Sequence, residues 1–74
     1  MSAKEMFEQL GFECERLSHA VIYELIGDYK IYVAFLYKNK EIESTYKVGF
    51  YGKYAKEINE AIHQQLKELH WIED

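Results

Sequence analysis

Residues 54–69, YAKEINEAIHQQLKEL, hold the clearest periodic pattern in the chain and decide the fold. Ala55, Ile58, Ala61, Ile62, Gln65, Leu66 and Leu69 recur at spacings of three and four, which lines one apolar stripe along an α-helix with charge and amide opposite. A helix of about four turns is marginal in water, so the rest of the chain must supply a sheet for the stripe to cover. Trp71 would project almost opposite the stripe if the helix ran on. The helix is therefore expected to end near Leu69 or His70, with His70 in the left-handed region and Trp71 turned back onto the core.

Upstream, Gly49-Phe50-Tyr51-Gly52 reads as a loop, and before it the period of the apolar residues is two rather than 3.6. Three turn signals, Ser18-His19, Gly27-Asp28 and Lys38-Asn39-Lys40, divide this region into four strands. Connections this short join antiparallel neighbours. At the N-terminus Ser2-Ala3-Lys4-Glu5 fits a capping box that opens a short helix, with Met6, Phe7 and Leu10 on one face. Gly11 ends that helix in a left-handed conformation, and Phe12 folds back on Phe7. The expected architecture is one α+β domain over residues 1–74, in the order α-β-β-β-β-α. It has a four-stranded antiparallel meander, with the C-terminal helix and the short N-terminal helix packed on the sheet.

The turns also set an expected register. A two-residue type II′ turn at Gly27-Asp28 pairs Tyr23 with Tyr32 and Ile22 with Val33. A turn at Asn39-Lys40 pairs Tyr32 with Lys47 and Val33 with Tyr46. The core face then carries Ile22, Ile31, Val33, Phe35, Tyr46 and Val48, and the outer face Tyr23, Lys30, Tyr32, Ala34, Thr45 and Lys47. A three-residue loop at residues 18–20 directs Phe12, Cys14 and Arg16 inward and Glu13 and Glu15 outward, whereas a two-residue loop sets Glu15 opposite Ile22 on the core face. Glu24 falls on the inner face in either case and is the misfit of this register.

Composition excludes several classes of function. The chain has 74 residues, 49% of them hydrophobic, enough to fold without a staple but with little core to spare for a deep cavity. One cysteine, Cys14, precludes an internal disulfide and cannot hold zinc alone. The opening MSAKEMFEQL lacks a signal-peptide run, and no stretch is apolar enough to span a membrane. A cytoplasmic protein with no membrane contact is the expectation. The net charge of −4 is unevenly spread: residues 29–56 hold six lysines and only Glu41 and Glu43, along with six of the seven tyrosines.

The stretches KEMFEQLGFE, VAFLYKNKEI and EINEAIHQQLKELHW resemble a group of small uncharacterised proteins encoded by bacteriophages and prophages of Gram-positive bacteria. In that group a helix ending K-x-L-G-[YF] leads into an antiparallel sheet, and a helix of the form A-I-x-x-Q-x-x-E-L-G-W closes the chain. The matching residues are Leu10, Gly11 and Phe12, then Ala61, Ile62, Gln65, Glu68, Leu69 and Trp71, with His70 in place of the usual glycine. The resemblance implies a fold and an origin in such a host. It implies no activity.

Motifs with chemical meaning are few. Glu60-x-x-His63 has the spacing of a helix that ligates a metal pair, but such a site needs a second copy on another helix. His63 and His70 share a flank without a third ligand. Cys14 as a nucleophile would need a histidine, and the nearest in sequence, His19, sits in a turn. Gly49-x-x-Gly52 lacks the lysine and hydroxyl of a phosphate loop. No catalytic, metal or cofactor site is therefore expected. The feature with functional content is the outer face with Tyr23, Lys30, Tyr32, Thr45 and Lys47. It suits a protein interface, with a partner protein or with a second copy as a homodimer, the latter also through an exposed edge strand. Single-stranded nucleic acid, stacked on the tyrosines, is the alternative.

Overall fold

The computed structural model describes residues 1–25, 27, 31–45 and 55–72. The order is α1 (Ala3–Gln9), β1 (Glu13–Arg16), β2 (Ala20–Leu25), β3 (Ile31–Leu36), β4 (Glu41–Ser44) and α2 (Ala55–Glu68). The four strands form an antiparallel meander in the order β1-β2-β3-β4, as expected from the short connections. No helix among the described residues is long and apolar enough to cross a membrane.

Both helices begin or end as their sequences dictate. The Ser2 hydroxyl accepts from the Glu5 amide and the Glu5 carboxylate accepts from the Ser2 amide, completing the capping box. Those bonds hold the Glu5 carboxyl below its ordinary range, the Ser2 backbone contributing most. At the other end Gly11 takes φ +96°, its amide donates to the Glu8 carbonyl, and the Phe12 amide reaches back to the Phe7 carbonyl. The Phe12 ring then meets Phe7 edge-on at 5.3 Å. The end of α2 repeats this motif with different residues. His70 takes φ 60°, its amide donates to Lys67, and the Trp71 amide donates to Leu66. Trp71 packs against the core beside Phe35, as its position past the stripe requires.

The registers differ from expectation in an instructive way. β2 pairs with β3 through Ile22↔Ala34, Tyr23↔Val33 and Leu25↔Ile31, one residue away from the expected Tyr23–Tyr32 pairing. The expected turn at Gly27-Asp28 itself lies partly outside the described residues. A slip of one turns every side chain of a strand over. Val21 and Tyr23 therefore point to the core, and Ile22 and Glu24 to the other face. The β1–β2 loop is also one residue off: it holds only Ser18 and His19, with the Leu17 amide donating to Ala20 at 2.8 Å. The two differences cancel at β1, where Cys14 and Arg16 still stand on the core side, opposite Tyr23 and Val21. Glu15 does lie opposite Ile22, but on the outer face, where neither is misplaced. The energetic reason is Glu24: the observed register places its carboxylate outward and puts a tyrosine ring inside instead.

β3 pairs with β4 through Val33↔Ser44, Phe35↔Ile42 and Leu36↔Glu41, two residues from expectation, which leaves each residue on its expected face. The connection is Tyr37-Lys38-Asn39-Lys40, closed by a bond from the Lys40 amide to Tyr37, with Lys40 at φ 54°. The expectations for Tyr46, Val48 and the Gly49–Gly52 loop lie outside the described residues.

Both helices cover the same face of the sheet. Phe7 of α1 stacks on Tyr23 with centroids 3.9 Å apart and planes 14° from parallel. From α2, Gln65 accepts a hydrogen bond from the Tyr23 hydroxyl. Ile58, Ala61 and Gln65 are the buried positions of the α2 stripe, with Ile62, Leu66 and Leu69 packed at its margin. A last link joins the helices directly: Glu68 Oε2 accepts from the Ala3 amide at 2.7 Å and from Gln64 Nε2 at 2.9 Å, supplying an acceptor to the first turn of α1.

Candidate interaction surface

Both helices cover one face of the sheet, and the register shows which described residues stand on the other. Cross-strand partners share a face. On the face away from the helices, one row is Glu15, Ile22, Ala34 and Glu43. A second is Ala20, Leu36 and Glu41, with Leu17 beside Ala20. A third holds Glu13, Glu24 and Tyr32, with Thr45 beside Tyr32. Ile22, Tyr32 and Leu36 are partly exposed, and Leu17 is 36% exposed. Ala20 and Ala34 on this face are buried. Leu17, Ile22, Ala34 and Leu36 thus form an apolar patch. Glu13 and Glu15 flank it on β1, and Glu41 and Glu43 on β4.

The site expected from sequence is only partly here. Tyr23, expected at its centre, is instead fully buried on the helix side, stacked on Phe7 and bonded to Gln65. Burial raises its phenol above the ordinary range, the nearby Cys14 adds to this, and Arg16 opposes it. Tyr32 does stand on the open face. Thr45 is its neighbour: the Thr45 amide donates to the Tyr32 carbonyl at 3.1 Å, and the Tyr32 amide donates to Thr45 Oγ1 at 3.0 Å. Thr45 therefore occupies the place across from Tyr32 that the sequence reading gave to Lys47. Lys30 and Lys47 lie outside the described residues. The sequence reading turned Glu13 and Glu15 outward but did not set Glu41 and Glu43 across the face from them, although Glu13-x-Glu15 and Glu41-x-Glu43 each repeat at the strand period of two.

The other chemical candidates do not converge. Among the described residues no three His, Cys, Asp or Glu side chains come together as metal ligands. Glu60, His63 and His70 are exposed on the surface. Cys14 is partly buried beside Tyr23, while His19 lies in the hairpin turn beyond Leu17, about 10 Å or more along the strand. On the helix side a cavity of about 180 Å³ opens between Arg16, Val21, Tyr37, Gln65, Glu68 and Leu69. Its polar lining suits water, and two of its groups are already engaged, Gln65 with Tyr23 and Glu68 with α1.

No family model matches the chain, and neither a curated protein nor a solved structure matches it significantly.

Proposed function

We propose that this chain is a small non-enzymatic protein-interaction module, of the phage and prophage kind that it resembles, acting in the cytoplasm through the open face of its sheet. The observation that carries the reading is the apolar patch of Leu17, Ile22, Ala34 and Leu36 with Tyr32 at its end, on the face opposite both helices and covered by no other described element. A partly exposed aromatic at the end of an apolar patch is the usual anchor of a protein contact. Nucleic acid ranks lower. Among the described residues Tyr32 is the one aromatic left on that face for a base to stack on, and the flanking glutamates repel phosphate.

The test is retention of a specific partner from lysate of the native cell by the wild-type chain, compared with an Ile22→Asp/Leu36→Asp double variant of equal folded content. Loss of that partner with the variant supports the reading. It fails if the wild type stays monomeric at tens of micromolar and retains nothing specific, or if the variant retains the same partner.

A further inference from the structure

The charges around the patch go further than its apolar floor, because they select what can lie on it. The sheet is four strands wide, so the β1 and β4 flanks stand about 14 Å apart at the usual strand spacing. An α-helix with its side chains is about 10–12 Å across. A helix laid along β2 and β3 therefore fits between the Glu13/Glu15 flank and the Glu41/Glu43 flank, its apolar side on Ile22, Ala34 and Leu36. The three rows run about 13 Å along the strands, the length of about nine helical residues.

We infer that the occupant of this face is a basic amphipathic helix of a partner protein, with apolar residues near i, i+4 and i+7 and Lys or Arg on both flanks. The inference rests on the interaction reading above and names the partner's chemistry. A second copy of this chain fits poorly. Face to face, it would set Glu13, Glu15, Glu41 and Glu43 against the same residues of its twin, and like charges brought together cost several kcal/mol. Strand addition at the sheet edges is no easier, because β1 reads ECER and β4 reads EIES, and charged edges resist pairing. A helix is also the unit that covers a sheet face, as α2 does on the other side. The exposed Lys38 and Lys40 stand in the turn beyond Leu36. Among the described residues this leaves Glu13, Glu15 and Glu43 as the flanking carboxylates of the face farthest from those lysines. An interface this narrow, far below the ~800 Å² per partner of a standard complex, holds weakly and exchanges fast.

The experiment is a titration of the ¹⁵N-labelled full chain, followed by NMR, with three synthetic amphipathic helical peptides that share one apolar face and carry Lys, Gln or Glu on their flanks. The Lys peptide should shift the amides of Ile22, Tyr32, Ala34 and Leu36. Its affinity should fall about tenfold between about 50 and 300 mM salt, as screening shortens the reach of the flanking charges. The exposed double variants Glu13→Gln/Glu15→Gln and Glu41→Gln/Glu43→Gln should each weaken it about three- to tenfold, with unchanged melting temperature. If the Gln peptide binds the same amides as tightly, the face still docks a helix but its charge does not choose the partner; this inference falls and the interaction reading stands. Shifts confined to α2, or a thymidine oligonucleotide moving the open-face amides instead, overturn the inference. So does no shift with any peptide, which removes support from the interaction reading as well.

Discussion

The register of β2 is most sharply tested at Tyr23, whose hydroxyl and Gln65 form a buried hydrogen bond between sheet and helix. Tyr23→Phe keeps the ring on Phe7 but leaves the Gln65 carbonyl oxygen without its donor, at a cost of about 1–3 kcal/mol. Gln65→Leu strands the hydroxyl in the same way. Making both changes removes donor and acceptor together, so the double variant should be more stable than the sum of the two losses implies, by about 0.5–3 kcal/mol. Set against a total of roughly 4–11 kcal/mol for a chain of this length, each single loss is large but leaves the protein folded. Ile22→Ala, on the open face, should cost under about 1 kcal/mol, whereas a buried isoleucine loses about 2–5. Urea unfolding followed by the fluorescence of Trp71 measures all four variants, with midpoint shifts of about 1 M or more for the larger losses. The reasoning is refuted if Tyr23→Phe costs less than about 0.3 kcal/mol while Ile22→Ala costs more than about 2, since that pattern belongs to the register in which Tyr23 faces outward.

Further outcomes follow from the same contacts. Because burial raises the Tyr23 phenol above its unfolded value, its contribution is fully present below about pH 10 and is lost as pH climbs from there through the folded value, at up to ~1.4 kcal/mol per pH unit. An alkaline unfolding series should show a shallower decline for Tyr23→Phe than for the wild type, and identical slopes would contradict the burial. The two left-handed helix ends predict opposite responses: His70→Gly should raise stability by about 0.5–1 kcal/mol, as φ 60° suits glycine better than histidine. Gly11→Ala should lower it by about 1–2, since its Cβ would also press to 3.3 Å from Leu25 Cδ1. Thermal melts in parallel settle both, a matched sign being the unexpected result. Tyr32→Ala should cost only about 0.2–1 kcal/mol of stability for its cross-strand contacts, yet weaken docking on the open face by about 2 kcal/mol, read by calorimetry against the same partner.

The helix ends were legible because each is a local contract among a few neighbouring residues. Ser2 with Glu5, Gly11 with Phe12, and the stripe that stops short of Trp71 carry their geometry within five or six positions, and all three formed as read. Gln65 was legible as a stripe position but not as a polar core residue, because its reason for burial is a tyrosine 42 residues away in sequence. Turn lengths were the weak point. Asn39-Lys40 marks a reversal of the chain, but the number of residues left between partners depends on which pairs the sheet prefers, and between β2 and β3 that is set by turning Glu24 outward and burying Tyr23. Phe7 and Gln65 offer Tyr23 a flat ring and an acceptor, and neither would serve Ile22 as well.

The consequence for function is larger than a slip of one residue suggests. In the expected register the open face carried two tyrosines in a lysine-rich setting, the kind of surface a phosphate backbone or a self-complementary partner can use. With β2 turned over, Tyr23 leaves that face and Ile22 and Glu24 arrive on it, between Glu13 and Glu15 on β1 and Glu43 on β4. The inward move of Tyr23 thus adds one carboxylate, Glu24, to a face that already carries Glu13, Glu15, Glu41 and Glu43. Glu24 is the hinge of the argument: a carboxylate is costly beneath two helices and harmless in water. The register that turns it outward also brings Ile22 onto the open face beside Ala34, the apolar floor on which the proposed docking rests.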